Sequence, residues 1–248
     1  GIEVGHVIIN PEQGGWVDPD QVKIILSQAG LGNWKLHESA PDEHDLREQL
    51  FAHLNEVEND SDGDLIIPVD QHFNVKGIGL VAIGYVQSGT VNVHDELILL
   101  PANGSGNAKS LQVMDDDVDA AVAGDRVGLA LRNAKEEHLG SGTILVRPAV
   151  EDKKSATSIP LAVVQHNSSV MTLTRSPFQK RELAVGDIVH ASADLQFVVG
   201  RIESIDGSDA IVNWESPLFI RRENPQPTLI AQLDSKPRIM GSAILKLN

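Results

Sequence analysis

The chain has 248 residues, of which 41% are apolar and only 4% aromatic, so its cores must be built from aliphatic side chains. It contains no cysteine, which excludes a disulfide scaffold and thiolate chemistry. The formal net charge of −15 excludes a generic binder of polyanions, because phosphate contacts need Lys and Arg. The acidic excess is greatest at positions 1–63, whereas acidic and basic residues balance from position 159 onwards. Any contact with a nucleic acid must therefore be local.

No apolar run reaches the roughly 18 residues that a membrane helix needs. The start of the chain lacks the basic and apolar regions of a signal peptide. We therefore expect a cytoplasmic protein without a membrane partner. Because the chain begins with glycine rather than methionine, we also expect it to be a fragment of a longer protein.

The segment 1–63 alternates the patterns of strands and helices. An apolar run at 6–9 predicts a buried strand. Asp18-Pro19 predicts the start of a helix that ends at Gly30 and has an apolar stripe (Val22, Ile25, Leu26 and Ala29). A second helix is predicted from Asp42, with an expected inner face of four residues (Leu46, Leu50, Phe51 and Leu54). The segment 1–63 thus predicts a small α/β unit that ends in a polar linker at 60–63.

From residue 65 the hydrophobic pattern changes to a period of two, with glycines between the segments. Strands are predicted at 65–69, 79–87, 96–100, 109–114, 126–131 and 143–145. After a charged connector at 151–155, strands are predicted at 159–164, 169–173, 187–191, 196–205, 210–214, 228–233 and 239–247. Short strands at this spacing favour closed barrels. We expect a mainly β chain in which two antiparallel β-barrels, at 64–150 and 151–248, follow the small α/β segment.

Two stretches of the middle region carry specific motifs. Residues 73–97 place Gly77 and Gly79 at a kink before a strand and Ser88-Gly89 at an expected hairpin turn. Residues 123–132 read A-G-D-R-V-G-L-A-L-R and precede a glycine-containing turn. In order and spacing, both stretches resemble domain 2 of the translation elongation factor Tu/SelB family, with His94 in place of the usual glycine. Residues 200–205 and 238–244 are similar to strands of domain 3 in SelB-type proteins.

The resemblance implies a binding site in the first barrel. In elongation factor Tu, domain 2 holds the 3′-terminal adenosine and the amino acid of aminoacyl-tRNA. Position by position, the resemblance places Asp70 and Gln71 near the amino-acid pocket. It places Val81, Gln112 and Ala130 at the adenosine pocket.

Three positions linked to tRNA binding also depart from the family pattern. Gln112 stands where the family often has Glu, and Met114 where it often has His. Ser141 stands where an Arg meets the 5′ end of the tRNA. Simple packing within the barrel is the alternative role for each residue of the implied site.

The segment 1–63 resembles the end of a GTPase domain. Asn10 and Gln13 fall in the N-K-x-D motif, but Pro11 and Gln13 replace the Lys and Asp that hold the guanine. Ser39 and Ala40 fall in the S-A-K motif, whose Lys is replaced by proline. The phosphate-binding motif G-x-x-x-x-G-K-S/T and the Mg-linked D-x-x-G strand signature are absent. The resemblance thus implies a degenerate guanine site and no cofactor within this chain. GTP and Mg²⁺ would need a functional upstream domain.

Three further patterns have simple explanations. Residues 104–110 lack a glycine before Lys109 and are interpreted as a hairpin loop rather than a phosphate-binding loop. Asp115-Asp116-Asp117 lacks the further spaced ligands of an EF-hand loop, which favours a solvated turn. His44 and His53 face different directions on the predicted helix, so these residues and His37 are interpreted as surface histidines rather than metal ligands. We predict no metal site and no catalytic residue.

The leading hypothesis is a SelB- or elongation factor Tu-like translation factor. It would bind an (aminoacyl-)tRNA acceptor end, the ribosome or both, through shape and a few polar contacts, without a GTP switch in this chain. One alternative is a pseudo-GTPase adaptor whose barrels contact other translation proteins. A second alternative is a GTP-dependent elongation factor whose phosphate-binding half lies outside the chain.

Overall fold

The computed structural model describes residues 4–10, 14–152, 157–159 and 161–248. By its internal contacts the chain divides into two compact units, Gly1–Glu58 and Asn59–Asn248. In the described part of the chain, no helix has the length and apolar character needed to span a membrane.

The first unit contains a two-stranded parallel sheet. Strand β1 (His6–Ile8) pairs with β2 (Lys35–His37), and the backbone amide of Ile9 donates a hydrogen bond to the carbonyl of His37 (2.9 Å). The strand predicted at 6–9 is thereby confirmed, but its burial is not, since Ile8 is 41% exposed. β2 was not predicted, because Lys35-Leu36-His37 has no apolar run that signals a strand.

Both predicted helix starts are confirmed. Helix α1 (Pro19–Gln28) is capped by the side chain of Asp18, and helix α2 (Glu43–Glu56) by that of Asp42. Such caps accept hydrogen bonds from amides that have no partner inside the helix. Gly30 follows α1 in the left-handed conformation (φ 75°), which explains why the helix ends there.

The predicted inner faces of these helices are not buried. Ile25 of α1 is 60% exposed, and in α2 the side chains of Leu50, Phe51 and Leu54 are 44%, 53% and 64% exposed. Leu46 is half-buried. The helical spacing predicted the helices correctly but not their burial, because the two-stranded sheet of this unit offers little apolar surface to cover them.

Residues 66–146 form a closed six-stranded antiparallel barrel. The strands of this region are β3 (Ile66–Val75), β4 (Gly79–Tyr85), β5 (Thr90–Asn92), β6 (Glu96–Leu100), β7 (Gly104–Val113), β8 (Asp116–Val118), β9 (Ala120–Val122), β10 (Arg126–Arg132) and β11 (Ile144–Val146). The hydrogen-bonded order is β10-β4-β3-β11-β6-β7, and pairing of β7 with β10 closes the barrel. β8 extends the sheet beside β7, and β5 pairs with β9. Buried leucine, valine and alanine side chains fill the interior, as the low aromatic content required.

Two turn predictions in this barrel are wrong. Ser88-Gly89 does not close a hairpin, because β5 pairs with β9 rather than with β4. Ser88 instead forms an isolated antiparallel β-bridge with Ile66, and its hydroxyl donates a hydrogen bond to the Asp60 carboxylate (2.8 Å). The stretch 104–110 is not a hairpin loop but the first part of β7, and the turn lies just before it, where Asn103 has a positive φ of 53°.

A second closed antiparallel barrel follows. A short ribbon of β12 (Val150–Asp152) and β13 (Thr157–Ile159) precedes it, while residues 153–155 of the predicted charged connector lie outside the described part of the chain. The barrel strands are β14 (Val163–Arg175), β15 (Ile188–Ala193), β16 (Gln196–Asp206), β17 (Asp209–Arg221), β18 (Thr228–Ala231) and β19 (Ile239–Leu247). They close in the order β14-β17-β16-β15-β18-β19. The predicted mainly β fold with two antiparallel barrels is confirmed.

The two barrels share an apolar junction. Ile144 and Val146 of the first barrel pack with Val163 and Phe219 of the second in one buried cluster. Arg221 adds polar contacts, since it pairs with the carboxylate of Asp194 and also donates to Gln87 Oε1 of the first barrel (3.3 Å). Apolar packing and the Arg221–Gln87 hydrogen bond hold the barrels against each other, while the shielded ion pair with Asp194, within the second barrel, orients Arg221.

Candidate functional site

A groove lies on the outward face of β4, β10, β7 and β8. Because successive side chains of a strand point to opposite faces, Leu111 and Leu129 enter the core while their neighbours point outward. Val81 of β4 lies opposite Ala130 of β10, which in turn lies opposite Ser110 of β7. Because the side chain of Ala130 is small, it leaves a depression in the surface between Val81 and Ser110.

A second row of side chains runs beside the first. It consists of Ile83, Gly128, Gln112 and Asp117, one from each strand. A Cβ atom added to Gly128 would meet only the carbonyl oxygen of Gln112, at 3.9 Å, so the absence of a side chain leaves open space above the strand. At the end of the row, Gln112 Nε2 donates to Asp117 Oδ1 (2.9 Å). Gly128 and Ala130 together form the floor of the groove.

A β-bulge turns one more side chain into the groove. The pairing of β10 with β7 shifts between Ala130, which pairs with Ser110, and Leu131, which pairs with Ala108. Lys109 is the extra residue and points outward beside Ser110. Its ammonium Nζ donates to the carbonyl of Ile78 (3.1 Å), just before β4 begins.

The groove encloses a volume of about 590 Å³, within the roughly 300–1,000 Å³ usual for small-ligand sites. Its floor is aliphatic, and its rim carries a hydroxyl, an amide, one ammonium group and two carboxylates. The lining residues are Ile78, Val81, Val93, Lys109, Ser110, Leu111, Gln112, Asp117, Val118, Asp119, Gly128 and Ala130. No group in it is placed as a nucleophile beside a base, so the arrangement suits binding rather than covalent chemistry.

The structure brings together three of the five residues assigned to an acceptor-end site. Val81, Gln112 and Ala130 line the groove. Gln71 lies outside the lining but opposite Ile83, and thus extends the second row by one strand. Asp70 sits at a register shift of β3 and its Oδ2 lies 3.7 Å from the guanidinium of Arg126, away from the lining.

Met114 and Ser141, which differ from the family pattern, do not line the groove. Met114 is 91% exposed at the turn between β7 and β8, where it and Asp115 have positive φ angles (52° and 69°). Ser141 is exposed in the loop before β11. The acidic run at 115–117 therefore contains this turn and the start of β8 rather than a turn alone.

The sequence patterns did not predict several residues that line the groove, notably Lys109, Asp117 and Asp119. Alternation along β7 could have pointed to Ser110 together with Gln112. The bulge at Lys109 and the short strand β8 leave no comparable signal, because both are set by the register of neighbouring strands.

The degenerate guanine-site positions lie in the first unit. Asn10 follows β1, and Ser39 and Ala40 follow β2. Because the two strands are parallel, these residues leave the sheet at the same edge, where ligands of α/β proteins bind. Gln13 lies outside the described residues.

Three histidines of the first unit pack against each other. His6 Nδ1 lies 2.9 Å from His37 Nε2, and the His6 and His53 rings meet edge to face at 6.1 Å. Burial, and then the neighbouring His37, Lys35 and His53, lower the pKa of His6. In the described residues, no group of three His, Cys, Asp or Glu is arranged to hold a metal ion.

Comparison with known proteins assigns the first barrel to a family. The family model "Elongation factor Tu domain 2" matches residues 79–146, from the start of β4 to the end of β11. An uncharacterized protein of Methanocaldococcus jannaschii is 31% identical over 206 residues, which cover 83% of this chain and 60% of that protein. The selenocysteine-specific elongation factor of the same organism is 41% identical over 103 residues, or 41% of this chain and 22% of that protein. The chain therefore spans less than two thirds of each relative.

A solved structure extends the similarity to almost the whole chain. The crystal structure of a bacterial selenocysteine-specific elongation factor superposes with a TM-score of 0.77 over 98% of this chain and 40% of that one. At 21% sequence identity, this likeness concerns the fold. The first barrel therefore belongs to the elongation factor Tu domain 2 family, and the chain shares the fold of selenocysteine-specific elongation factors.

Proposed function

We propose that the groove of the first barrel binds the 3′-terminal nucleotide of an (aminoacyl-)tRNA acceptor end. The observation that carries the proposal is the convergence of Val81, Gln112 and Ala130 in one cavity. The family pattern assigns the same three residues to the adenosine pocket. The proposal covers this chain, which spans 60% of the first relative, and not the whole protein.

The chemistry of the groove suits a nucleobase. The flat floor at Gly128 and Ala130 matches the face of a planar base, and the Val81 side chain borders it. The Ser110 hydroxyl and the Gln112 amide stand on one side, where they could exchange hydrogen bonds with polar base edges. Recognition would thus rest on apolar contact with the base face and a few polar contacts at its edge.

The charge of the chain limits how this site works. With a net charge of −15, the protein repels RNA at long range, so affinity must come from the groove and not from counterion release along a basic surface. The ribosome is a second partner that fits the family. A ribosomal surface would supply additional contacts that a free acceptor end lacks.

We further propose that this chain does not itself operate a GTP switch. Asn10, Ser39 and Ala40 share one edge of the parallel sheet. However, the Lys and Asp residues of the two guanine motifs are replaced by Pro11, Gln13 and Pro41. The residues present therefore do not fit a guanine nucleotide. Titration of the chain with a fluorescent GTP analogue tests this point, and micromolar binding would contradict it.

The acceptor-end proposal is tested by fluorescence anisotropy with the full chain. Labelled acceptor microhelices ending in CCA, with and without an esterified amino acid, are compared with the same microhelix lacking the terminal adenosine. We expect removal of that nucleotide to weaken binding about tenfold, equivalent to about 1.4 kcal/mol. Equal affinity for both lengths, or no binding to any of them at low salt, would refute the proposal.

A further inference from the structure

The charged side chains of the groove are separated onto opposite sides of its floor. Lys109 provides the single ammonium group among the described lining residues, and its bond to the Ile78 carbonyl holds it towards the start of β4. The two carboxylates belong to Asp117 on β8 and Asp119 just after it. Since β10 and β7 lie between β4 and β8, the floor has a basic side and an acidic side.

The acidic side is held in place by the fold. Asp117 Oδ1 accepts the hydrogen bond from Gln112 Nε2, which fixes this carboxylate beside the second row of the floor. The main chain of Asp119 is fixed as well, because its carbonyl accepts from the amide of Val93, another lining residue (2.9 Å). Asp115 and Asp116 extend the negative charge outward along the same hairpin. A ligand that fills the groove must therefore place an uncharged or positively charged group against this side.

A strand of RNA has two kinds of group that could face these sides. Its phosphates are anions and favour an ammonium group, whereas its ribose hydroxyls can donate hydrogen bonds to carboxylates. A terminal nucleotide on the floor would then place its 5′ phosphate towards Lys109. Its 2′- and 3′-hydroxyls would face Asp117 and Asp119.

We propose that this acidic side makes the groove selective for RNA ends whose terminal ribose carries no phosphate, and that Asp117 and Asp119 determine this selectivity. The inference rests on the proposed binding of a terminal nucleotide. A 3′-phosphate carries a charge of about −1.5 to −2 at neutral pH, which brings like charges close to two carboxylates at the rim of the groove. A free hydroxyl, or a hydroxyl esterified by an amino acid, adds no negative charge there.

The selectivity is measured with two microhelices of identical sequence, one ending in a 3′-hydroxyl and one in a 3′-phosphate. At low salt, where surface charges are least screened, we expect the wild-type chain to bind the hydroxyl end about tenfold or more tightly. In the variant Asp117→Asn/Asp119→Asn the ratio should fall to within about twofold, because the repulsion is removed. A melting temperature close to that of the wild type shows that this variant is folded.

The matched control is Asp62→Asn/Asp64→Asn, which makes the same change in net charge at two exposed residues outside the groove. It should keep the wild-type preference, which separates a local effect from a change in overall charge. Equal binding of both RNA ends by the wild type, or an unchanged preference in the Asp117/Asp119 variant, would overturn the inference while leaving the proposed function standing. Failure to bind either RNA would overturn the proposed function and the inference with it.

Discussion

Filling the floor of the groove should weaken RNA binding strongly without harming the fold. Gly128 lies in the middle of β10, and a Cβ atom there would have only the Gln112 carbonyl oxygen within 4 Å, at 3.9 Å. In Gly128→Val the side chain therefore projects into the cavity of about 590 Å³ rather than into the barrel. If a nucleobase lies on this floor, the valine removes its contact surface.

The substitution should weaken RNA binding without lowering the stability of the fold. Affinity for a CCA-ending microhelix should fall about tenfold to a hundredfold, or roughly 1.4–2.8 kcal/mol. The free energy of unfolding should be unchanged or rise by about 0.5–1 kcal/mol, because glycine destabilises strand interiors and valine favours strands. Anisotropy titration measures the first effect, and urea denaturation followed by tryptophan fluorescence measures the second.

Ser105→Val is the matched control. Ser105 is an exposed strand residue of the same barrel, on β7, and does not line the groove. This variant should bind RNA like the wild type. A folded Gly128→Val protein with wild-type affinity would show that the base does not lie on the Gly128 floor, and the assignment of the groove would fail.

Three further predictions concern stability. His94 has a positive φ of 78°, so His94→Gly should raise the free energy of unfolding by about 1 kcal/mol in urea denaturation, and no gain would contradict strain at this turn. The Ser169 hydroxyl accepts from the buried indole of Trp214 (2.8 Å), so Ser169→Ala should lower that free energy by about 1–3 kcal/mol, and a neutral effect would argue against this hydrogen bond. Burial lowers the pKa of His166 below 6.5, so the unfolded chain binds a proton at this residue at a higher pH than the folded chain does. Stability should therefore decline as pH falls from about 6.5 towards the lowered pKa, and His166→Gln should reduce that decline. If stability depends on pH identically in the wild type and in His166→Gln, His166 is not the source of the decline.

The sequence predicted the strands of both barrels because alternation and glycine spacing are local signals. The strand predicted at 96–100 coincides with β6, and the one at 239–247 coincides with β19. Partner choice is not local. Ser88-Gly89 has the composition of a hairpin turn, yet β5 finds its partner in β9, which follows only after β6, β7 and β8 along the chain.

The groove could be predicted only in part. Val81, Gln112 and Ala130 were found through the family pattern, and the structure places them together. Lys109 and Asp117 could not be found, because the first enters through a register shift and the second through a very short strand. For the same reason the separation of charges across the floor is visible only in the folded chain.

In the first unit, hydrophobic periodicity likewise does not predict which side chains are buried. The spacing of Leu50 and Leu54 indicates one face of a helix, but both side chains are exposed. A helical stripe predicts which residues share a face. Whether that face is covered depends on the extent of the sheet that packs against it.

Photo-crosslinking tests the central claim most directly. A microhelix whose 3′-terminal nucleotide is 8-azidoadenosine is bound to the full chain, irradiated and mapped by mass spectrometry of the attached peptide. We expect crosslinks in the segments that line the groove, at residues 78–81, 109–119 or 128–130. Efficient crosslinking to the second barrel, with none in these segments, would contradict the account.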